Sequence, residues 1–455
     1  MKVPISGNPI NEANEIATLR EYPMRYFVWI LVAIVVVIVL GMGLQVFALV
    51  AIGLFVVGNW TLCRYWSRNI AASRELSHKE AEIGEVVEVA ISLENRGRLP
   101  IIWILLEDLL SREALLPPPG KLEVEGRRIH LIGLGGKARM RIAYRLRCRG
   151  RGFFQVGPLV AEVGDLFGLF RRYRVLTAPQ YLTVLPPLLP IQGYDIASRR
   201  PIGEIRLTHR LYEDPTRIAG VREYRQGDSL RQIHWKATAR TGSLQCKVYE
   251  PSYIAGATLA IDFHRDAYPD AARAELAITC AASLAAAICA QRQQVGLVSN
   301  GRDAAERIRA VSWGTEYSSR AAAREAVEMS PAGTRLFPVV IPTMRGDQQL
   351  YQILETLARL EPGEGLSIGQ ALLEVTPWLP RDATLVAILP AAEESALSAL
   401  GTLQQHGFWV TVIVNTYEYH DYAVAAERFL SQGIEARHLR DEFSITQLCQ
   451  PYVLP

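Results

Sequence analysis

From Tyr26 to Leu62 the chain runs for 37 residues without an aspartate, glutamate, lysine or arginine. A single helix of that length would reach about 55 Å, against a hydrocarbon core of about 30 Å. The two glycines of Gly41-Met42-Gly43 favour a reversal near its middle, which predicts a transmembrane helical hairpin over residues 26–62 with spans at 26–40 and 44–62. Its two ends then share one side of the membrane. Arg20 and Arg25 precede the hairpin, Arg64, Arg68 and Arg74 follow it, and its tip is uncharged. The positive-inside rule therefore predicts that residues 1–25 and the globular part both face the cytoplasm. Tyr26, Trp29, Trp60 and Trp66 are placed as interfacial anchors, and Glu12, Glu15 and Glu21 argue against a cleaved signal peptide.

The rest of the 455 residues reads as globular, because 49% of the chain is apolar and 21% charged, which excludes a disordered or fibrous protein. Six cysteines with no C-x-x-C pair, and no histidine at ligand spacing, argue against a zinc site or a disulfide framework. Charge is unevenly distributed. Residues 136–174 carry a net +8, residues 198–250 a net +5 and residues 251–455 a net −8. A basic middle and an acidic C-terminal part are suited to different neighbours.

After the membrane the pattern has period two. Val87–Glu94 alternates large apolar with small or charged residues, and Arg139–Arg147 sets Met140, Ile142, Tyr144 and Leu146 against a face of mainly arginines. With further runs at Phe153–Val156, Leu159–Val163 and Tyr181–Leu185, this predicts an antiparallel β-sandwich over residues 75–190. The arginine face is either a solvated sheet surface or a surface drawn to anionic headgroups. Residues 256–455 alternate buried strands with helices: Leu259–Phe263, an Ala-rich helix from Ala271 to Gln291 behind Pro269 and Asp270, Val295–Val298, Gln349–Leu360, Ala383–Leu389, Glu393–Gln405 and Phe408–Val414. That alternation predicts a doubly wound α/β domain with ligands or partners at the carboxyl ends of its strands.

The connecting segment, residues 191–255, holds the most specific sequence. It reads Gly220-Val221-Arg222-Glu223-Tyr224-Arg225-Gln226-Gly227-Asp228-Ser229, then Arg231-Gln232-Ile233-His234-Trp235-Lys236-Ala237 and Ala239-Arg240-Thr241-Gly242. This resembles the signature of the bacterial family known as domain of unknown function 58, departing mainly at Gln226, where that pattern has proline. Arg149-Gly150-Arg151-Gly152, Gly164-Asp165-Leu166-Phe167-Gly168-Leu169-Phe170, the hairpin and the α/β part extend the resemblance. It implies a protein of the bacterial inner membrane with a von Willebrand factor type A-like domain. Such proteins are often encoded beside a MoxR-type AAA+ ATPase and sometimes beside a transglutaminase-like protein, and no catalytic activity is established for the family.

Physically, Gln226–Ser229 is a turn whose Asp228 can cap a following short helix. Arg222, Arg231, Lys236 and Arg240 can either form a structural ion network with Asp228, Glu223 and Glu250 or present a basic docking surface. The candidate partner-binding set is therefore Arg222, Tyr224, Arg225, Asp228, Arg231, His234, Trp235, Lys236 and Arg240. Nucleic acid fits poorly, because no aromatics interleave as a stacking platform.

A type A domain usually holds a divalent ion through D-x-S-x-S, a threonine and a further aspartate. Here the first motif reads Asp262-Phe263-His264-Arg265-Asp266, the second loop offers only Ser367, and the third strand ends in Leu389-Pro390. Asp262, His264 and Asp266 thus form a degenerate ion site, and neither a metal nor another cofactor is expected. Gly133–Ala138 lacks the features of a phosphate loop and reads as a hairpin turn, Cys280 and Cys289 as inert core residues, and His234 as structural. Two function classes remain: a non-enzymatic membrane adaptor, and a hydrolytic or metal-dependent enzyme working near Asp262.

Overall fold

The uncharged run continues as helix past its last apolar residue and directly into a sheet. A computed structural model of the protein describes residues 29–35, 44–115, 120–192, 213–224, 233–251, 256–306, 308–309, 316–317, 319, 321–322, 329–330, 337–380 and 383–448. Residues 29–35 are helical, and helix α1 (Leu44–Asn69) follows. Residues 1–25 and the reversal at Gly41-Met42-Gly43 lie outside the described residues. Gln45–Asn69 is long and apolar enough to cross a membrane. Phe47, Leu49, Ile52 and Leu54 point away from the protein, whereas Cys63 and Trp66 in the last turns are buried. Trp66 is therefore no interfacial anchor: it packs with Ile70 and Val89 in the core of the next domain. Arg174 Nη1 donates to the carbonyl of Ser67 at 2.7 Å, so a cation caps the helix where its dipole is negative.

That domain is built from β1 (Ile70–Leu76), β2 (Glu80–Ala81), β3 (Val86–Asn95), β4 (Ile101–Leu110), β5 (Leu122–Glu125), β6 (Ile129–Leu134), β7 (Arg139–Cys148), β8 (Gly152–Gly164), β9 (Arg171–Thr177) and β10 (Gln180–Val184). One sheet has the order β1-β3-β7-β5. In the second, β8 pairs with β4, β9 and β10, while β6 extends β4 and β2 extends β10. Their inner faces share one core containing Val89, Leu93, Leu106, Leu146, Phe154 and Leu182. Where the sequence predicts two runs, at Phe153–Val156 and Leu159–Val163, the chain forms the single strand β8.

Arg74, read from its position as a membrane-flanking charge, is instead buried. Its Nε donates to Asp108 Oδ2 at 3.1 Å, its Nη2 pairs with Asp108 Oδ1, and its Nη1 donates to the carbonyl of Val156 at 3.0 Å. Tyr144 Oη donates to the same carboxylate at 2.7 Å, so the buried charges are compensated. On the arginine face of β7, Arg139 pairs with Glu94 and Arg147 with Glu125, and the adjoining Arg149 pairs with Glu123.

A hairpin of β11 (Glu213–Glu223) and β12 (Gln245–Pro251), with helix α2 (Trp235–Thr241) between them, leads into the α/β part. There follow β13 (Gly256–Ile261), α3 (Ala271–Ala290), β14 (Gln294–Ser299), β15 (Val339–Met344), α4 (Asp347–Arg359), α5 (Ile368–Val375), β16 (Thr384–Leu389), α6 (Glu394–Gln405), β17 (Trp409–Asn415), α7 (Tyr419–Ser431), β18 (Glu435–Leu439) and α8 (Glu442–Gln447). The sheet order is β15-β14-β13-β16-β17-β18, with β15 antiparallel to β14 and the other neighbours parallel. Helices α3, α4 and α8 cover one face and α5, α6 and α7 the other, which explains why every residue of β13 is buried. Asp270 caps α3 by accepting from Arg273 N at 2.8 Å. Although Ala271–Ala290 matches a membrane span in length and apolarity, it is the central core helix.

A buried side chain helps to bind the two domains together. Arg151, at the start of β8, reaches the last turn of α4 and donates through Nη1 to the carbonyls of Leu357 at 2.8 Å and Leu360 at 3.0 Å. Its Nε lies 2.6 Å from Glu275 Oε2 on α3, and its guanidinium stands 5.6 Å from the centre of the Phe263 ring. Replacing Arg151 by Ala should cost about 2–4 kcal/mol, because helix-end carbonyls and a carboxylate lose a buried charged donor. Calorimetry should then resolve separate sandwich and α/β transitions where the parent shows coupled melting, and Arg151→Lys should recover only part of the loss because it lacks the fork.

Candidate functional site

In an open α/β sheet the natural place for a ligand is the crevice at the carboxyl ends of the strands where the order reverses, here between β13 and β16. Asp262 leaves the end of β13 into that crevice and is buried. Its Oδ1 accepts from Asn300 Nδ2 at 2.9 Å and from the His264 amide at 3.2 Å. Asn300 follows β14, and its Oδ1 accepts from Phe263 N at 2.6 Å while its Nδ2 also reaches the Leu366 carbonyl at 3.2 Å. A donor amide thus occupies Oδ1 of the carboxylate.

The surrounding loops are tied shut. Gly363 N donates to the Phe263 carbonyl at 2.9 Å, Arg265 N to the Gly363 carbonyl at 2.8 Å, and Arg265 pairs with Glu364 at the surface. His264 Nδ1 accepts from Asp266 N at 3.3 Å, a turn contact rather than a coordination geometry. Ser367, the approximate substitute for a ligating threonine, caps α5 by accepting from Gln370 N at 3.3 Å. Among the described residues no group of three His, Cys, Asp or Glu side chains could hold a metal. This donor set does not fit a hard divalent cation, which requires several oxygen ligands around one point.

Further along the strand ends, Arg273 from the first turn of α3 is also buried. It donates to Asn415 Oδ1 at 3.0 Å and to the Leu439 carbonyl at 3.1 Å, and its guanidinium lies 3.4 Å over the Tyr417 ring. Burial draws its guanidinium below its ordinary value. Asn300 and Arg273 escaped the sequence reading, and Arg151 entered it only within the Arg149–Gly152 motif, with no role assigned. For Asn300 the available signal was its position just past a strand-like run.

The signature segment forms a two-stranded hairpin sheet of its own, not part of the α/β sheet. His234 caps α2, its Nδ1 accepting from Ala237 N at 3.0 Å, so this histidine holds a turn. Gly242 ends the helix at φ 72°, in the left-handed region open to glycine. Thr238 Oγ1 accepts from Gln245 N at 3.0 Å, Tyr224 N donates to the Leu244 carbonyl at 2.8 Å, and Ile233 bridges to Cys246. In this network Trp235 is 68% exposed, and Val221 and Leu244 are exposed as well. Arg222, Lys236 and Arg240 are exposed too, and among the described residues no ion pair joins Lys236 or Arg240 to a carboxylate. Arg225, Asp228 and Arg231, and with them the expected capping turn at Gln226–Ser229, lie outside the described residues.

The described residues define a mixed α/β protein with an N-terminal apolar helix, a plugged strand-end crevice and a separate signature hairpin. Residues 220–337 match the model of the family described as protein of unknown function DUF58. It is 24% identical over 254 residues to the uncharacterized protein YeaD of Bacillus subtilis (strain 168), a match covering 55% of this chain and 60% of that protein. Among solved structures, a CARDB domain from Pyrococcus furiosus aligns at 10% identity over 26% of this chain and 87% of its own, with a TM-score of 0.17. The native conformation of Escherichia coli alpha-2-macroglobulin aligns at 15% identity over 26% of this chain and 7% of its own, with a TM-score of 0.19. Likenesses at these scores carry no argument.

Burial pushes the Asp262 carboxyl above its ordinary value of 3.8, against the opposing hydrogen bonds from Asn300 and His264. The fold therefore holds this proton more tightly than the unfolded chain does. The associated stability is complete below pH 3.8 and declines as the pH rises from there through the folded value. Asp262→Asn keeps an oxygen acceptor for Asn300 and removes that decline, so denaturant titrations should show the variant gaining on the parent as the pH rises above about 4. Asp262→Ala, which leaves the Asn300 amide without that acceptor, should lose about 1–3 kcal/mol with no change in metal content by mass spectrometry.

Proposed function

We propose that this protein is a non-enzymatic adaptor, anchored in the bacterial inner membrane with its globular domains in the cytoplasm, that binds a MoxR-type AAA+ ATPase. In this reading the α/β part is a von Willebrand factor type A-like domain, and the contact uses its strand-end face with the signature hairpin. The observation that carries it is the exposed Trp235, with Lys236 and Arg240 on the same short helix, held out by a hydrogen-bonded scaffold. Exposed tryptophan and arginine on a rigid support are the side chains that dominate protein interfaces. The type A-like reading is supported by the two-sided sheet whose order reverses between β13 and β16, where such a domain would keep its ion.

The family resemblance supplies the ATPase as partner and a transglutaminase-like protein as a second one. Charge supports an oriented encounter, since a segment of net +5 adjoins a part of net −8. The alternative, a metal-dependent or hydrolytic enzyme near Asp262, has less support, because Asn300 engages one oxygen of that carboxylate and the described side chains around it offer no set of converging ligands.

Trp235→Ala should weaken ATPase binding by about 30-fold or more, the loss typical of a buried interface anchor, at an unchanged melting temperature. Arg222→Glu should weaken it and make its salt dependence shallower, whereas Arg141→Glu on the sandwich should leave it unchanged. Affinity measured with the detergent-solubilised full chain decides this: parent-like binding by well-folded Trp235 and Arg222 variants removes the proposed surface. Orientation is checked separately, by a C-terminal reporter fusion active only in the cytoplasm.

A further inference from the structure

The Gly164–Phe170 motif takes no part in the crevice or the signature hairpin, and its geometry is costly for a loop in water. Asp165 is buried and holds both ends of the turn, its Oδ1 accepting from Phe170 N at 2.8 Å and its Oδ2 from Phe167 N at 3.3 Å. Trp103 Nε1 donates to the Asp165 carbonyl at 3.2 Å, and Gly168 turns the chain at φ 71°. This frame prevents the loop from folding its apolar side chains back onto the sandwich. Leu166, Phe167 and Leu169 remain 64%, 63% and 55% exposed, with no charged residue from 166 to 170. Such a cluster marks a contact surface.

Its position says what it contacts. The Phe167 ring packs edge-on against Phe55 of α1, with centroids 4.9 Å apart, so the loop tip extends the apolar surface of the helix. Phe55 lies five residues before Trp60, about 7.5 Å along the helix on its apolar side. The Trp60 ring has Arg64 at 5.5 Å and Arg172 at 5.9 Å, an aromatic and basic belt of the kind that sits at headgroup level. An open hollow lined by Phe55, Gly58, Leu62, Tyr65 and Leu99 lies at the same level.

We infer that the 166–169 loop inserts into the margin of the same lipid leaflet that α1 enters, giving the sandwich a second membrane contact beside its anchor. Leu166, Phe167 and Leu169 enter the acyl region, and Arg172, with Arg64, lies among the phosphates. This rests on the reading of α1 as a membrane span.

The full chain carrying Cys449→Ser is reconstituted in phosphatidylethanolamine and phosphatidylglycerol vesicles and labelled with an environment-sensitive fluorophore at one new cysteine. The five described native cysteines are buried and escape the label. Labels at Phe167→Cys or Leu169→Cys should emit blue-shifted and be quenched several-fold by lipids spin-labelled near the headgroup. A label at Ile52→Cys should respond more strongly to deep quenchers, and one at Trp378→Cys on the α/β part to neither. Quenching at 52 without lipid quenching at 167 and 169 overturns the inference and leaves the span intact, whether emission there is water-like, as for a loop in solvent, or blue-shifted, as for a loop docked on a second copy. Absence of quenching at 52 overturns the span reading and this inference with it.

Discussion

The joint between the two globular parts depends on one buried guanidinium. Arg151 belongs to the sandwich by chain position and to the α/β part by contact, since its donors go to the end of α4 and to Glu275 on α3. An arginine can do this because its fork reaches several backbone acceptors at once while staying charged when buried. The same side chain flanks Phe263, the residue after Asp262, so the sandwich touches the loop that forms the strand-end crevice. Lys121 adds a second ion pair to Glu275, and Glu316–Tyr317 adds a short antiparallel pairing to β9. The two domains therefore present their surfaces in a fixed relation.

Local patterns made the larger elements legible, because periodicity reports which face is buried. The alternation in Val87–Glu94 and the Asp270 cap before an alanine-rich helix are signals of that kind. Strand β15 gave no such signal: Pro342 interrupts it, which an edge strand tolerates and a central one does not. Helix α5, of eight residues, was too short to show a period. Arg74 was misread because proximity to an apolar run is visible in sequence, whereas Asp108, Tyr144 and Val156 converge on it only after folding.

The candidate site was legible in part for a related reason. A motif is readable one segment at a time, so the absence of hydroxyl side chains after Asp262 was plain. What holds Asp262 was not, since Asn300 reaches it across two adjacent strand ends. The signature segment shows the reverse. Its residue types were conspicuous, but their spacing could not separate the histidine that caps a helix from the tryptophan that stands in solvent.

The junction of α1 with β1 has a mechanical consequence. Asn69 ends the helix and Ile70 begins the strand, with no linker, and Trp66, Arg174 and the hydrogen bond from Arg98 N to Tyr65 Oη lock the last turns to the sandwich. The assembly behaves as a lever with no swivel. Any tilt of the helix is delivered undiminished to the far end of the body, and any force applied to the body returns as a torque on the helix.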